Sequence, residues 1–314
     1  ALFHSALLAA LQRRFADRLG EWESEHHRLT VSEQRKQERG RVRFHLGGLK
    51  SWGPFPKNDE GIWVSTPADL LVQGGVASPM QFSRAGRANL PEPLQYPVGS
   101  LAGATKEKPG EWLLLSELAH YLAGETKNLR TVSAGELYLA EARPGIGIDA
   151  ERRSVEEGRF YSAEYLRLAK GVSMAAFASC AAKKYSGAET DMLAELFREA
   201  NRCDLIFGGQ RGTARLECGR SRAALVEDPP ESFPGNRVKW VLLSPGFFCR
   251  GWLPGWVDQK SGAVMLRENK SDAVDARLVA ACIPKPQAVS GWNPAAGAPK
   301  ATRLLVPAGA VYYF

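Results

Sequence analysis

The chain has 314 residues, with 41 Lys+Arg against 34 Asp+Glu for a net charge of +7, and 44% hydrophobic and 24% charged residues. These are globular proportions and exclude a wholly disordered or collagen-like polymer. A chain of this length buries roughly 75% of its unfolded surface and needs no disulfide or metal staple. The length suits two domains, and the basic excess permits a polyanionic partner without establishing one.

Cys180, Cys203, Cys218, Cys249 and Cys282 are spread without a CxxC pair, which argues against a zinc site built from cysteines. An odd, unclustered set with no signal-peptide pattern fits a reducing cytosol, so a cytoplasmic location is expected. The longest mostly apolar stretch, 171–182, is too short to span a bilayer, so no membrane is expected as a partner.

In chain order, Phe3, Leu7, Leu11, Phe15 and Leu19 recur every fourth residue and predict an amphipathic helix over 2–19. This pattern starts at the first residue, which predicts a strand ahead of Ala1. Over 39–46 the period changes to two: Val42, Phe44 and Leu46 form one face of a strand, with Arg39, Arg41, Arg43 and His45 on the other. Residues 47–56 read as a Gly/Pro loop, and 61–72 as strand with a Pro-containing turn. Residues 73–110 read as a long excursion, and Ser116 as the cap of a helix through Leu122. Strands are predicted at 136–142, with a glycine-broken continuation to 149, and at 159–168. A helix at 190–200 precedes strands at 204–207 and 213–218, then 238–243 and 310–314. Runs of strands with few helices predict an α+β fold with mainly antiparallel sheets.

Templates for common chemistries are absent: there is no GxxxxGK[ST], GxSxG or HExxH. Gly145-x-Gly147 lacks the third glycine of a dinucleotide site. His26-His27 sits among glutamates, but adjacent histidines diverge on a helix and nothing completes a ligand set, so no metal or other cofactor is expected.

Two basic clusters stand out. Between Arg35 and Lys50 six Lys/Arg face one acid, Glu38, and side-by-side cations on a strand repel unless a polyanion or an acidic neighbour lies opposite. Trp52 and Phe55 follow, as stacking surfaces for unpaired bases or as a plug over the core. Between Arg202 and Arg222 five arginines face two acids around Gly208-Gly209-Gln210-Arg211-Gly212. Glycines let N–H groups and a phosphate approach closely, and Arg211 and Arg215 carry guanidinium forks for phosphate oxygens. The same pattern also describes a glycine-rich hairpin with ordinary surface arginines.

PGIGIDAERRSVEEGRFY (144–161), IFGGQRGTARLE (206–217) and the tail SGWNPAAGAPKATRLLVPAGAVYYF (290–314) together resemble the third subunit of Cmr-type, type III-B, CRISPR effector complexes, within the RAMP superfamily. ALFHSALLAALQRRF resembles the helix after that family's first strand. Gly53-Pro54-Phe55 followed by Thr66-Pro67-Ala68-Asp69 also matches, so the resemblance runs over nearly the whole chain.

The resemblance implies two modified ferredoxin-like (βαββαβ) halves. These would be 1–135, with the insertion 73–110 and its first strand missing, and 136–314, with the glycine-rich loop 208–212. It implies a non-catalytic subunit that holds the 5′ repeat-derived tag of the CRISPR RNA. The subunit would bridge the large polymerase-like signature subunit to the RAMP backbone subunits and meet target RNA only indirectly. On the family motifs, Gly208, Gly209, Gln210, Arg211 and Arg215 are the first RNA-contact candidates, and Arg152, Arg153 and Tyr161 the second. Arg41, Arg43, Lys50 and Trp52 rest on the charge pattern. The loop departs from expectation at Gln210, where a charged residue would stand. The rivals are a metal-independent endoribonuclease, with His45 as its base and Lys50 and Tyr161 as partners, and a scaffold touching only protein.

Overall fold

The computed structural model describes residues 2–14, 49–74, 76–82, 89–100, 106–148, 151–180, 183–185, 188–197, 202–207, 212–218, 237–265, 275–290, 292–293 and 298–314. The expected strand at 39–46, with Arg41, Arg43 and His45, lies outside these residues. So do Gly208, Gly209, Gln210 and Arg211.

The elements begin with α1 (Leu2–Arg14), β1 (Lys50–Asn58), β2 (Gly61–Ser65), β3 (Leu70–Gln73), β4 (Val76–Pro79), β5 (Gln81–Phe82) and β6 (Val98–Gly99). Next come β7 (Trp112–Leu114), α2 (Leu115–Leu122), β8 (Thr131–Val132), α3 (Ala134–Leu137), β9 (Tyr138–Ile148), β10 (Val155–Leu168) and β11 (Ser173–Ser179). Then follow β12 (Lys183–Tyr185), β13 (Ala188–Thr190), α4 (Met192–Leu196), β14 (Arg202–Ile206), β15 (Thr213–Glu217), β16 (Lys239–Val241) and β17 (Ala280–Cys282). The last are β18 (Gln287–Val289), β19 (Trp292–Asn293), β20 (Ala298–Pro299), β21 (Arg303–Leu305) and β22 (Val311–Tyr313). This is an α+β chain, mostly strands, with antiparallel sheets. It forms two compact units interleaved in sequence: one of 1–54, 176–232 and 290–302, the other of 55–175, 233–289 and 303–314.

In the first unit, the α1 stripe of Phe3, Leu7 and Leu11 is buried against Leu49, Met192 and Leu205. Ala6 and Ala10, on the same face, let the strands behind approach closely. Asp191 caps α4 by accepting from the Leu193 and Ala194 N–H groups at 3.0 Å.

In the second unit, β22 lies between β16 and β17, and Val311, Tyr312 and Tyr313 are all buried. Trp240 packs on Tyr312 with ring centres 5.2 Å apart and also meets Phe248 and Trp256, and Trp256 stacks on Phe314. Thr66–Asp69 threads into this core. The Ala68 N–H donates to the Gly309 carbonyl at 2.8 Å. Gly309 has φ +85, and a Cβ there would meet the Thr66 oxygen at 2.4 Å, so a side chain is excluded on both counts. Asp69 is fully buried. Its carboxylate accepts from the Tyr121 and Tyr313 hydroxyls and from Lys239 Nζ at 3.1 Å, and Lys239 also donates to the Tyr121 oxygen at 3.0 Å. Burial first, and the Asp69 charge next, raise both phenol pKa values. Removing the carboxylate would strand a partly buried cation and two buried phenols, a loss of up to about 3 kcal/mol.

Four expectations change. Residues 50–58 form a strand rather than a loop. Pro54 and Pro56 lack N–H donors, and the β1–β2 register runs only through Lys57↔Ile62 and Asn58↔Gly61, so the prolines forfeit no bond of that ladder. Ser116 lies inside α2, which starts from extended Leu114 without a side-chain cap and is placed by burying Leu118 and Tyr121. Glu136 belongs to α3, where its carboxylate accepts from the Ser133 N–H at 2.9 Å, so β9 begins only at Tyr138 and then runs unbroken through its glycines. The 73–110 segment is not a free excursion in its described parts. β4 pairs with β3, and Leu94, Tyr96 and Val98 pack on the core of the second unit.

Candidate nucleic-acid interface

The β14–β15 hairpin carries the glycine-rich segment at its end. Its closing bond runs from the Phe207 N–H to the Gly212 carbonyl at 2.7 Å. The register is Arg202↔Glu217, Cys203↔Leu216, Asp204↔Arg215, Leu205↔Ala214 and Ile206↔Thr213. Leu205 is buried, and Cys203 and Leu216 pack beside it under α1. Alternation therefore turns Arg202, Asp204, Arg215 and Glu217 outward as two opposite-charge pairs. Arg215 is 62% exposed, and its Nε lies 3.4 Å from Asp204 Oδ1. A pair this open is worth at most about 1 kcal/mol, so the guanidinium is available to a stronger anion.

In the same unit, Lys50 and Trp52 are two residues apart on β1 and both exposed, Trp52 at 39%. Trp52 thus lies on a strand with an open ring rather than plugging the core. His4 bonds Ser51 Oγ through Nδ1 at 2.9 Å, tying α1 to β1.

In the other unit, β9 and β10 form a long two-stranded ribbon from Leu168↔Tyr138 to Val155↔Ile148. Arg152 and Arg153 are exposed at its tip, Arg153 with φ +50. Tyr161 stands opposite Gly145. One face, through Leu139, Glu141 and Arg143 with Arg167 and Tyr165, is held by charge. Glu141 accepts from Arg143 at 3.0 Å and from Arg167 at 2.7 Å, and the Arg143 guanidinium lies 4.7 Å from the Tyr165 ring centre. The Arg143 hydrogen bond chiefly, with both arginine charges, lowers the Glu141 pKa. The opposite face brings together Ile146 with Phe160, Ile148 with Val155 and Ala140 with Leu166. Phe160 is 70% exposed, and the other large side chains are exposed by half or more. Sequence reasoning missed this apolar face. Its signal was period-two alternation in Ile146, Ile148 and in Phe160, Leu166, Leu168, which shows which residues share a face but not that the face stays open.

Among the described residues no three His, Cys, Asp or Glu are placed to hold a metal ion, and no helix is long and apolar enough to cross a membrane. The 171–182 stretch contains the strand β11.

A family model described as "CRISPR-associated protein (Cas_Cmr3)" matches residues 5–314. No curated protein matches significantly. Among solved structures, a chain of "Cryo-EM structure of the Type III-B Cmr-beta bound to cognate target RNA and AMPPnP, state 1" is similar at 15% identity and a TM-score of 0.45, covering 98% of this chain and 76% of that one. A chain of "Cryo-EM structure of the Type III-B Cmr-beta bound to cognate target RNA" is similar at 16% identity and a TM-score of 0.39, covering 84% and 64%.

Proposed function

The chain belongs to the CRISPR-associated Cas_Cmr3 family, that of the third subunit of type III-B Cmr complexes, and on that footing we propose that it is a non-catalytic RNA-binding subunit. In this reading it holds the 5′ repeat-derived tag of the CRISPR RNA and bridges the large signature subunit to the RAMP backbone subunits. Its fold is two modified ferredoxin-like halves, divided near 135/136. Unpaired tag nucleotides are splayed and readable, so they need phosphate donors and a few flat side chains rather than a groove for a duplex. Gly208, Gly209, Gln210, Arg211 and Arg215 form the principal contact. Arg152, Arg153 and Tyr161 are secondary, with Arg41, Arg43, Lys50 and Trp52 along the basic strand region.

The observation that carries the reading is the family match over residues 5–314. The β14–β15 hairpin supports it: one face is buried under α1 and the other, with Arg215, is open beside the glycine-rich segment. The test is a salt-dependent titration of the chain with its large-subunit partner. Tagged RNA is compared with a scrambled 5′ tag, and wild type with Arg211→Glu/Arg215→Glu. Tighter binding of tagged RNA, with weaker binding and a shallower salt slope in the double variant, is expected. Indifference to both tag and charge reversal would leave a scaffold that touches only protein.

A further inference from the structure

The second unit holds a cavity of about 460 Å³ with Arg237, Lys239, Gln81, Pro79, Met80 and Phe314 in its lining, which the family tail motif reaches only at its last residues, Tyr313 and Phe314. One wall is the β16–β22 pair. Lys239 stands opposite Tyr313, and Val238 and Phe314 exchange backbone bonds of 3.1 and 2.9 Å. The other wall is the β4–β5 corner, fixed where the Met80 N–H donates to the Asp69 carbonyl at 2.6 Å. Both walls are therefore tied to the buried Asp69 cluster.

The lining separates into charge, donors and flat apolar surface. Lys239 Nζ is compensated by Asp69 and spends two of its three N–H groups on Asp69 and Tyr121, leaving one donor without net charge. Arg237 is exposed, and no described residue accepts from its guanidinium, so it supplies one uncompensated positive charge at the rim. The Gln81 amide adds donor and acceptor capacity, while Met80, Pro79 and the Phe314 ring are apolar. One anionic site beside an apolar wall, in a cleft of ligand size, is the complement of a single nucleotide: one phosphodiester and one base.

We propose that this cavity binds one unpaired nucleotide of RNA, its phosphate on Arg237 with the Lys239 N–H as second donor, and its base against Met80 and Phe314. The site rests on the RNA-binding reading and adds to it a contact on a different unit from the glycine-rich loop.

The test is the same salt titration with Arg237→Gln, an exposed position with no partner among the described residues, plus photocrosslinking with 4-thiouridine-substituted RNA. Loss of one phosphate contact predicts about tenfold weaker binding and a log–log salt slope shallower by about 0.7. Crosslinks are expected on peptides containing Met80 or Phe314. If Arg237→Gln binds RNA with unchanged affinity and slope while Arg211→Glu/Arg215→Glu weakens it, the cavity proposal is overturned and the RNA-binding reading stands. If neither variant changes binding, both fall. Loss of affinity for a free nucleoside monophosphate, with RNA binding intact, would also overturn it, since the pocket would then serve a small molecule.

Discussion

The chain carries two hairpins whose sequences look alike, each a pair of strands around glycines and arginines, and their surfaces are opposite in kind. The β14–β15 hairpin buries its apolar face under α1 and shows solvent the Arg215–Asp204 ion pair, with Arg202 and Glu217 opposite each other in register. The β9–β10 ribbon knits its charged face together through Glu141 and leaves Ile146, Ile148, Val155 and Phe160 open. Alternation alone sorts side chains onto two faces, and which face is covered depends on what packs there. α1 covers one hairpin, whereas no described element covers the ribbon's apolar face to the same depth. Arg215 on the first hairpin is therefore open to solvent, while the second presents a surface of the type proteins bury.

This contrast can be broken by substitution. The largest effect is expected at Leu205→Ala, where a buried side chain is lost from under α1 and stability falls by about 2–5 kcal/mol in chemical denaturation. Phe160→Ala on the ribbon is expected to shift the same transition by less than about 0.5 kcal/mol, because the ring is already in water. A comparable loss at both sites would mean that the ribbon's apolar face is covered in the protein.

Alkylation kinetics sharpen the difference between inner and outer positions. Cys203 faces the α1 core, and its pKa is raised by burial first and then by the Asp204 charge, while Cys218 just beyond β15 is exposed. Cys282 is pushed up to about 11 by burial and Asp69. At pH 8 iodoacetamide should label Cys218 first, Cys203 more slowly and Cys282 last, and early labelling of Cys203 would contradict the packing of that hairpin.

The smallest effect is electrostatic. Glu141 has its folded pKa lowered by Arg143 and Arg167, so its contribution to stability is present above the unfolded carboxylate pKa and is lost as pH falls through the lower folded value. Glu141→Gln should lower stability slightly at neutral pH and leave it unchanged below the folded pKa, so that this part of the acid dependence disappears in pH-dependent denaturation.

Much of the local structure was legible. The i, i+4 stripe placed α1, and period-two alternation found β10, β14 and β15, because those signals are contained in a few neighbouring residues. β1 was hidden by Gly53, Pro54 and Pro56, which read as a loop wherever the ladder cannot be seen. The Asp69 cluster was invisible for a different reason. Its members lie 52, 170 and 244 residues apart in sequence from Asp69, and no pattern within a window links them. Two motifs that carried the resemblance, Thr66–Asp69 and the tail ending in Val311–Tyr313, meet in this core. There Asp69, Val311, Tyr312 and Tyr313 are buried, so these stretches of the two motifs build the core. Arg237 had no motif and no cluster around it, so only the cavity singles it out.

The central claim is that this subunit holds the 5′ tag. The most direct measurement is nuclease footprinting of 5′-labelled CRISPR RNA in the complex assembled with the wild-type chain, with Arg211→Glu/Arg215→Glu, and without the chain. The account predicts that tag nucleotides are protected only with the wild-type chain, while guide nucleotides stay protected in all three. Tag protection that persists without the chain would contradict it.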